Sequence, residues 1–179
     1  MGNNINVLDA IKLRRSIRRY TDAKVSEEQL KTVLDAAILS PSARNRQLRH
    51  IAVVKNRELL DEMAEKIGSM LGREHDDYHV FHHAPVVLVL SAEKNETWRK
   101  EDIGIMSENI ALAALEVGLG TCILGLPQVL FTSQEGKKYL EKMQVPSGYE
   151  PILSVTLGVP EDMNVAAKPR NYDVVSVIE

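Results

Sequence analysis

Five aliphatic residues in a row, Val86 to Leu90, stand between Pro85 and Ser91. A run of strand length with no polar residue leaves neither face for water, so it reads as a strand buried on both faces. Such a strand requires packed layers around it, and the rest of the chain supplies helices and further strands. Asn6–Leu13 forms a first short helix, with Val7, Leu8 and Ile11 at helical spacing. Ser26 and Gln29 form a capping box before Leu30, Val33, Leu34, Ala37 and Ile38, and Ser40-Pro41 ends that second helix. His50–Val54 reads as a short strand. A helix over Arg57–Leu71 carries Leu59, Leu60, Met63, Ile67 and Met70 on one face.

After the aliphatic run, a long helix over Lys100–Val117 turns Ile103, Met106, Ile110, Ala113, Ala114 and Val117 inward, and Gly118 and Gly120 stop it. TCILG (121–125) is a second buried strand, a polar helix covers Ser133–Met143, and ILSVTLGV (152–159) is another strand. The tail from Lys168 ends in a further β-like run, VVSVI. Mixed helices and strands without repeats or a flexible linker predict one layered α+β or α/β domain over residues 1–179. Aromatic residues make up only 4%, so the core must be aliphatic.

Lys and Arg number 22 against 25 Asp and Glu, a net charge of -3, which excludes a generally basic nucleic-acid binder. Cys122 is the lone cysteine, so no internal disulfide forms, and no secretory signal or membrane-length apolar run is visible. The expected setting is the cytoplasm, with neither membrane nor nucleic acid as partner.

Against that acidic background, Arg14, Arg15, Arg18 and Arg19 flank Ser16 within six positions. Four like charges this close repel, and an anion relieves them; the guanidinium fork suits two phosphate oxygens. Read alone, such a run is more often a solvated basic face. Lys168 and Arg170 form a second basic pair. PSARNRQ (41–47) gathers Ser42, Asn45 and Gln47 in a hydrogen-bonding loop that suits the polar edge of a heterocycle, though such a loop by itself is more often an ordinary turn.

GLGTCILG (118–125) is no dinucleotide fingerprint, because its glycines leave a helix and enter a strand. They indicate close backbone approach to something flat, or a helix C-cap. His75, His79, His82 and His83 lie near Glu74, Asp76 and Asp77, yet no HExxH is present, and polar loop residues are expected rather than a metal site. Cys122, inside an apolar run, reads as a buried inert thiol.

Taken together, RRSIRRY, SPSARNRQ, GLGTCILG, GYEPILSVTLGVPE and KPR, in that order from about Ile11 to Arg170, resemble the nitroreductase family of FMN-dependent oxidoreductases. The resemblance implies an α+β sandwich with a mostly antiparallel central sheet flanked by helices, working as an intertwined homodimer. It implies bound FMN, with Arg14, Ser16, Lys168 and Arg170 on the phosphate and ribityl chain and Arg18 at the N1/O2 edge of the flavin. Ser42, Asn45 and Gln47 would reach the partner's FMN, and the Leu124 and Gly125 backbone would lie beside N5. Arg15 and Pro41 complete the expected cofactor-binding set, and no metal belongs to it.

Hydride chemistry is then the cofactor's, so no catalytic acid or nucleophile is needed. NAD(P)H would reduce FMN and leave, and a nitroaromatic, quinone or similar small acceptor would follow, a ping-pong sequence. Departures fall where acceptors are chosen: Leu48-Arg49 stands where many relatives have Pro-Trp, and Ile123 where many carry an aromatic residue. Two other classes remain open on the residues alone. One is a non-catalytic flavin- or nucleotide-binding module; the other is a binder of acidic partners through the arginine cluster.

Overall fold

The computed structural model describes residues 5–74 and 78–179. In chain order the elements are α1 (Val7–Leu13), α2 (Glu27–Ile38), a 3-10 turn (Ala43–Asn45), β1 (Arg49–Val54), α3 (Arg57–Met70) and β2 (Val86–Glu93). There follow α4 (Arg99–Glu116), β3 (Gly120–Leu124), α5 (Gln128–Phe131), α6 (Lys137–Lys142) and β4 (Tyr149–Gly158). The Ser26 capping box forms as expected: Ser26 Oγ accepts the Gln29 N–H at 3.1 Å, and Gln29 Oε1 accepts the Ser26 N–H at 3.0 Å. Asn56 caps α3 by accepting the Leu59 N–H.

The four strands make one antiparallel sheet in the order β1-β2-β4-β3. The aliphatic run is its centre. Val86, Leu88, Leu90 and Ala92 of β2 point to a core shared with α2, α4 and β4, while Val87 and Val89 point to a second core under α3, α5 and α6. Period-two alternation thus feeds two cores from one strand, which is why no polar residue interrupts it. Leu88 and Leu90 are fully buried, each contributing about 1.5–3 kcal/mol of transfer free energy.

Three elements differ from expectation. The polar helix over Ser133–Met143 is shortened to α6, its C-terminal part, and a separate short helix α5 precedes it; the turn at Ser133–Gly136 between them packs Gly136 against the Leu130 carbonyl, where a Cβ would meet it at 2.3 Å. On α4, Ile103, Met106, Ile110 and Ala114 are buried, but Ala113 and Val117 are half-buried, and Asp102 and Ser107 go inside instead. The β-like tail makes no ladder within the chain: residues 161–179 are exposed and lack strand pairing, since β-propensity without an adjacent edge forms no sheet. Among the described residues no helix is long and apolar enough to cross a membrane.

Candidate functional site

The arginine-rich segment is held in extended form by its apolar residues. Ile17 is buried, its N–H donates to the Thr121 carbonyl at 2.8 Å, and Ser16 bridges Thr121 in parallel. Gly120 makes this docking possible, since a Cβ there would stand 2.8 Å from Ile17 Cγ1. The Tyr20 hydroxyl donates to the Ile17 carbonyl at 2.8 Å and lies 2.6 Å from Thr156 Oγ1. Burial pushes the Tyr20 phenol far up, so it stays neutral as a lock. With Ile17 and Tyr20 pinned, Arg18 and Arg19 remain exposed.

Arg14 pairs with Glu108 of α4, Nε to Oε1 at 3.2 Å, but the alignment leaves the buried Nε without a hydrogen bond. Arg15 donates from Nη1 to the Lys12 and Arg14 carbonyls and from Nε to the Val165 carbonyl at 3.1 Å. This last bond ties the C-terminal segment back over the arginine run. The result is a cleft of about 280 Å³ lined by Arg14, Arg15, Ser16, Arg18, Val165, Ala166, Lys168 and Arg170. Two basic groups 150 positions apart meet there, and no carboxylate lines it. Larger clefts of about 680 Å³ lie elsewhere, but each carries carboxylates among its walls.

The loop with Pro41, Ser42, Asn45 and Gln47 is not part of that cleft. It is tightly built nonetheless. Buried Asp102 accepts the Ala43 N–H at 2.9 Å, Arg46 pairs with buried Glu96 at 2.8 Å, and Arg49 donates to Ser40 Oγ and to the Ser40 and Pro41 carbonyls. Ser42 Oγ accepts the Gln47 N–H, and the Gln47 amide donates to Asn45 Oδ1 at 3.0 Å. Arg44, Asn45 and Gln47 all have left-handed backbones, φ 54, 51 and 55, a conformation that persists only where the surroundings impose it. Leu124 and Gly125 end β3 outside the cleft too, with open space around the Gly125 Cα.

The glycines before β3 have local causes. Gly118, φ 75, closes α4 in a Schellman turn, with the Leu119 N–H donating to the Ala114 carbonyl at 2.8 Å. At Gly120 the close approach is to Ile17. Cys122 is buried and free, and burial raises its thiol pKa, in keeping with an inert role. Of the histidines, His75 lies outside the described residues, as do Asp76 and Asp77. His79 and His83 do converge, with Asp61, which the absence of HExxH had hidden.

Sequence reasoning also missed Tyr20, Asp102 and Glu108, each of which fixes a candidate residue through a partner distant in the chain. His82 is half-buried; burial and, next, the Arg18 charge hold its imidazole below the ordinary range.

A cationic cleft with no carboxylate in its walls, on an antiparallel α+β sandwich, has the chemistry to receive a phosphorylated ligand. Comparison with known proteins narrows the class. A sequence profile of the nitroreductase family matches residues 11–159. The chain is 36% identical over 166 residues to a Methanothermobacter thermautotrophicus protein described as an NADH dehydrogenase/NAD(P)H nitroreductase, covering 89% of this chain and 80% of that one. It is 29% identical over 181 residues to the FMN reductase [NAD(P)H] of Bacillus subtilis, covering 92% of this chain and 69% of that one. Its fold is similar to that of a Bacteroides fragilis nitroreductase crystallised with bound FMN: TM-score 0.88, 26% identity, covering 99% of this chain and 100% of the other. The chain belongs to the nitroreductase family, a family of FMN-dependent oxidoreductases.

Proposed function

We propose that the protein is an FMN-dependent oxidoreductase that takes electrons from NAD(P)H and passes them to nitroaromatic, quinone or similar small acceptors in two successive half-reactions. The observation that carries the reading is the cleft in which Arg14, Arg15, Arg18, Lys168 and Arg170 meet with no carboxylate in its walls, Glu108 pairing with Arg14 from outside that lining. Its donor set fits a phosphate monoester. When bound, FMN supplies the hydride chemistry.

The chain's own residues divide the remaining work. Arg14, Ser16, Lys168 and Arg170 would hold the phosphate and ribityl chain. Arg15 has committed Nε and Nη1 to carbonyls, so it would act by fastening the segment that bears Lys168 and Arg170. Arg18, with a long 3.4 Å bond to the Ser16 carbonyl, is available to the N1/O2 edge. The Leu124 and Gly125 backbone would lie beside N5, where Gly125 leaves room. Pro41, Ser42, Asn45 and Gln47, absent from the chain's own cleft, would serve the cofactor of a second copy in a homodimer.

The test is anaerobic. Purified protein is expected to be yellow with bound FMN, to bleach with NADH or NADPH under nitrogen, and to recover colour when a quinone or nitroaromatic is added. Failure to bind FMN, or bound FMN that neither nicotinamide bleaches, would overturn the reading.

A further inference from the structure

Away from the cationic cleft, α3 and the turn that leads into β2 bring a carboxylate and two imidazoles together. Asp61 is exposed on α3, one turn after Arg57. The His79 and His83 rings have centroids 4.1 Å apart and are tilted 34° to one another. One ligand atom from each of Asp61, His79 and His83 lies within 4.8 Å of the others. His79 Nε2 stands 3.1 Å from Asp61 Oδ1. Ligands of a tetrahedral ion with bonds of about 2.0–2.1 Å are themselves about 3.3 Å apart, so this pair already has the separation such an ion requires.

Arg57 is the cation that these acceptors hold in this structure. Its Nε is 3.2 Å from Asp61 Oδ1, its Nη2 is 3.0 Å from His83 Nδ1, and its Nη1 donates to the His83 carbonyl at 3.0 Å. The cluster opens on a cleft of about 680 Å³ whose walls include Glu65 and Glu74, so a hydrated ion has access from solvent.

We propose that Asp61, His79 and His83 form a binding site for a divalent transition-metal ion of the zinc or nickel type, with Arg57 holding the cluster until the ion displaces it. Two imidazole nitrogens and one carboxylate oxygen, completed by water, are a donor set such ions accept. His79 Nδ1 accepts the His83 N–H at 3.3 Å, which assigns the ring proton to Nε2, facing Asp61. Coordination through Nε2 moves that proton, by exchange with water, to Nδ1, and the long bond from the His83 N–H is given up. The ion then staples the entry of β2 to α3.

The purified full chain, free of any affinity tag, is titrated calorimetrically with zinc chloride. One Zn²⁺ per chain and a raised thermal midpoint are expected. Asp61→Asn and His83→Ala, both at exposed positions, should each weaken binding by roughly tenfold or more. Arg57→Gln should tighten it, because the competing cation is gone. Far-UV circular dichroism of each variant separates loss of the site from loss of the fold. Unchanged zinc affinity in either ligand variant, or weaker binding in Arg57→Gln, would overturn the proposal.

Discussion

Arg18 is exposed while its neighbour Ile17 is buried, so the side chain is presented outward by a backbone that cannot shift. An arginine stays charged and favours whatever negative charge accumulates beside it. In the proposed role, Arg18→Gln keeps length and hydrogen bonding but removes the charge. The flavin midpoint potential is expected to fall by roughly 30 mV or more, equivalent to ~1.4 kcal/mol for a two-electron couple. Redox titration checks this; a wild-type potential with FMN bound would place Arg18 elsewhere.

His50 makes a second prediction at this scale. Its Nδ1 is buried without a hydrogen-bond partner, and burial lowers its pKa from the ordinary 6.5. The folded-state pKa is the lower one, so the unfolded chain takes up the proton first. The stability this confers is full above about pH 6.5 and is lost as pH falls through the folded-state value. His50→Gln should flatten the decline of urea midpoints between roughly pH 7 and pH 5.

At the scale of elements, the 41–47 loop is an irregular segment made rigid from beneath by α4. Asp102→Ala removes the acceptor of the Ala43 N–H, a loss of about 1–3 kcal/mol if that donor is left unsatisfied. Chemical denaturation should register the loss, and if the loop serves a second copy's cofactor, FMN affinity should fall with it. The C-terminal segment offers the complementary experiment. Lys168 and Arg170 are exposed cations on a segment held by one Arg15 bond to Val165. Changing both to Gln should lower FMN affinity by orders of magnitude, each charge-assisted contact being worth ~1.5–3 kcal/mol, while the melting temperature of the cofactor-free protein stays unchanged. Equilibrium dialysis against FMN measures the first, and thermal scanning the second.

The whole molecule leaves apolar surface uncovered at both ends of the chain. Val7 and Leu8 of α1 are 70% and 66% exposed, and Val174, Val175, Val177 and Ile178 are more exposed still. In the proposed homodimer a second copy would cover such surface. With β1 paired on one side only, light scattering is expected to give a homodimer mass, and an FMN-loaded monomer would refute the proposed assembly.

How much of this was legible in the sequence follows from range. Strands, helices and caps are set by periodicity and near neighbours: the Val86–Leu90 run, the Ser26–Gln29 box and the Gly118 stop are each contained in a few residues. The motif resemblance named the candidate site because those motifs are contiguous. Contacts between distant segments carry no local signal. Nothing near Arg15 indicates that it binds Val165, nor near Asp61 that His79 and His83 stand against it. The fate of the Ser133–Met143 helix rested on Gly136 packing against Leu130, and that of the VVSVI tail on whether a free sheet edge lay beside it. Local preference determined what each segment could become. Tertiary structure decided which segments met, because burial and charge compensation depend on neighbours that only folding brings together.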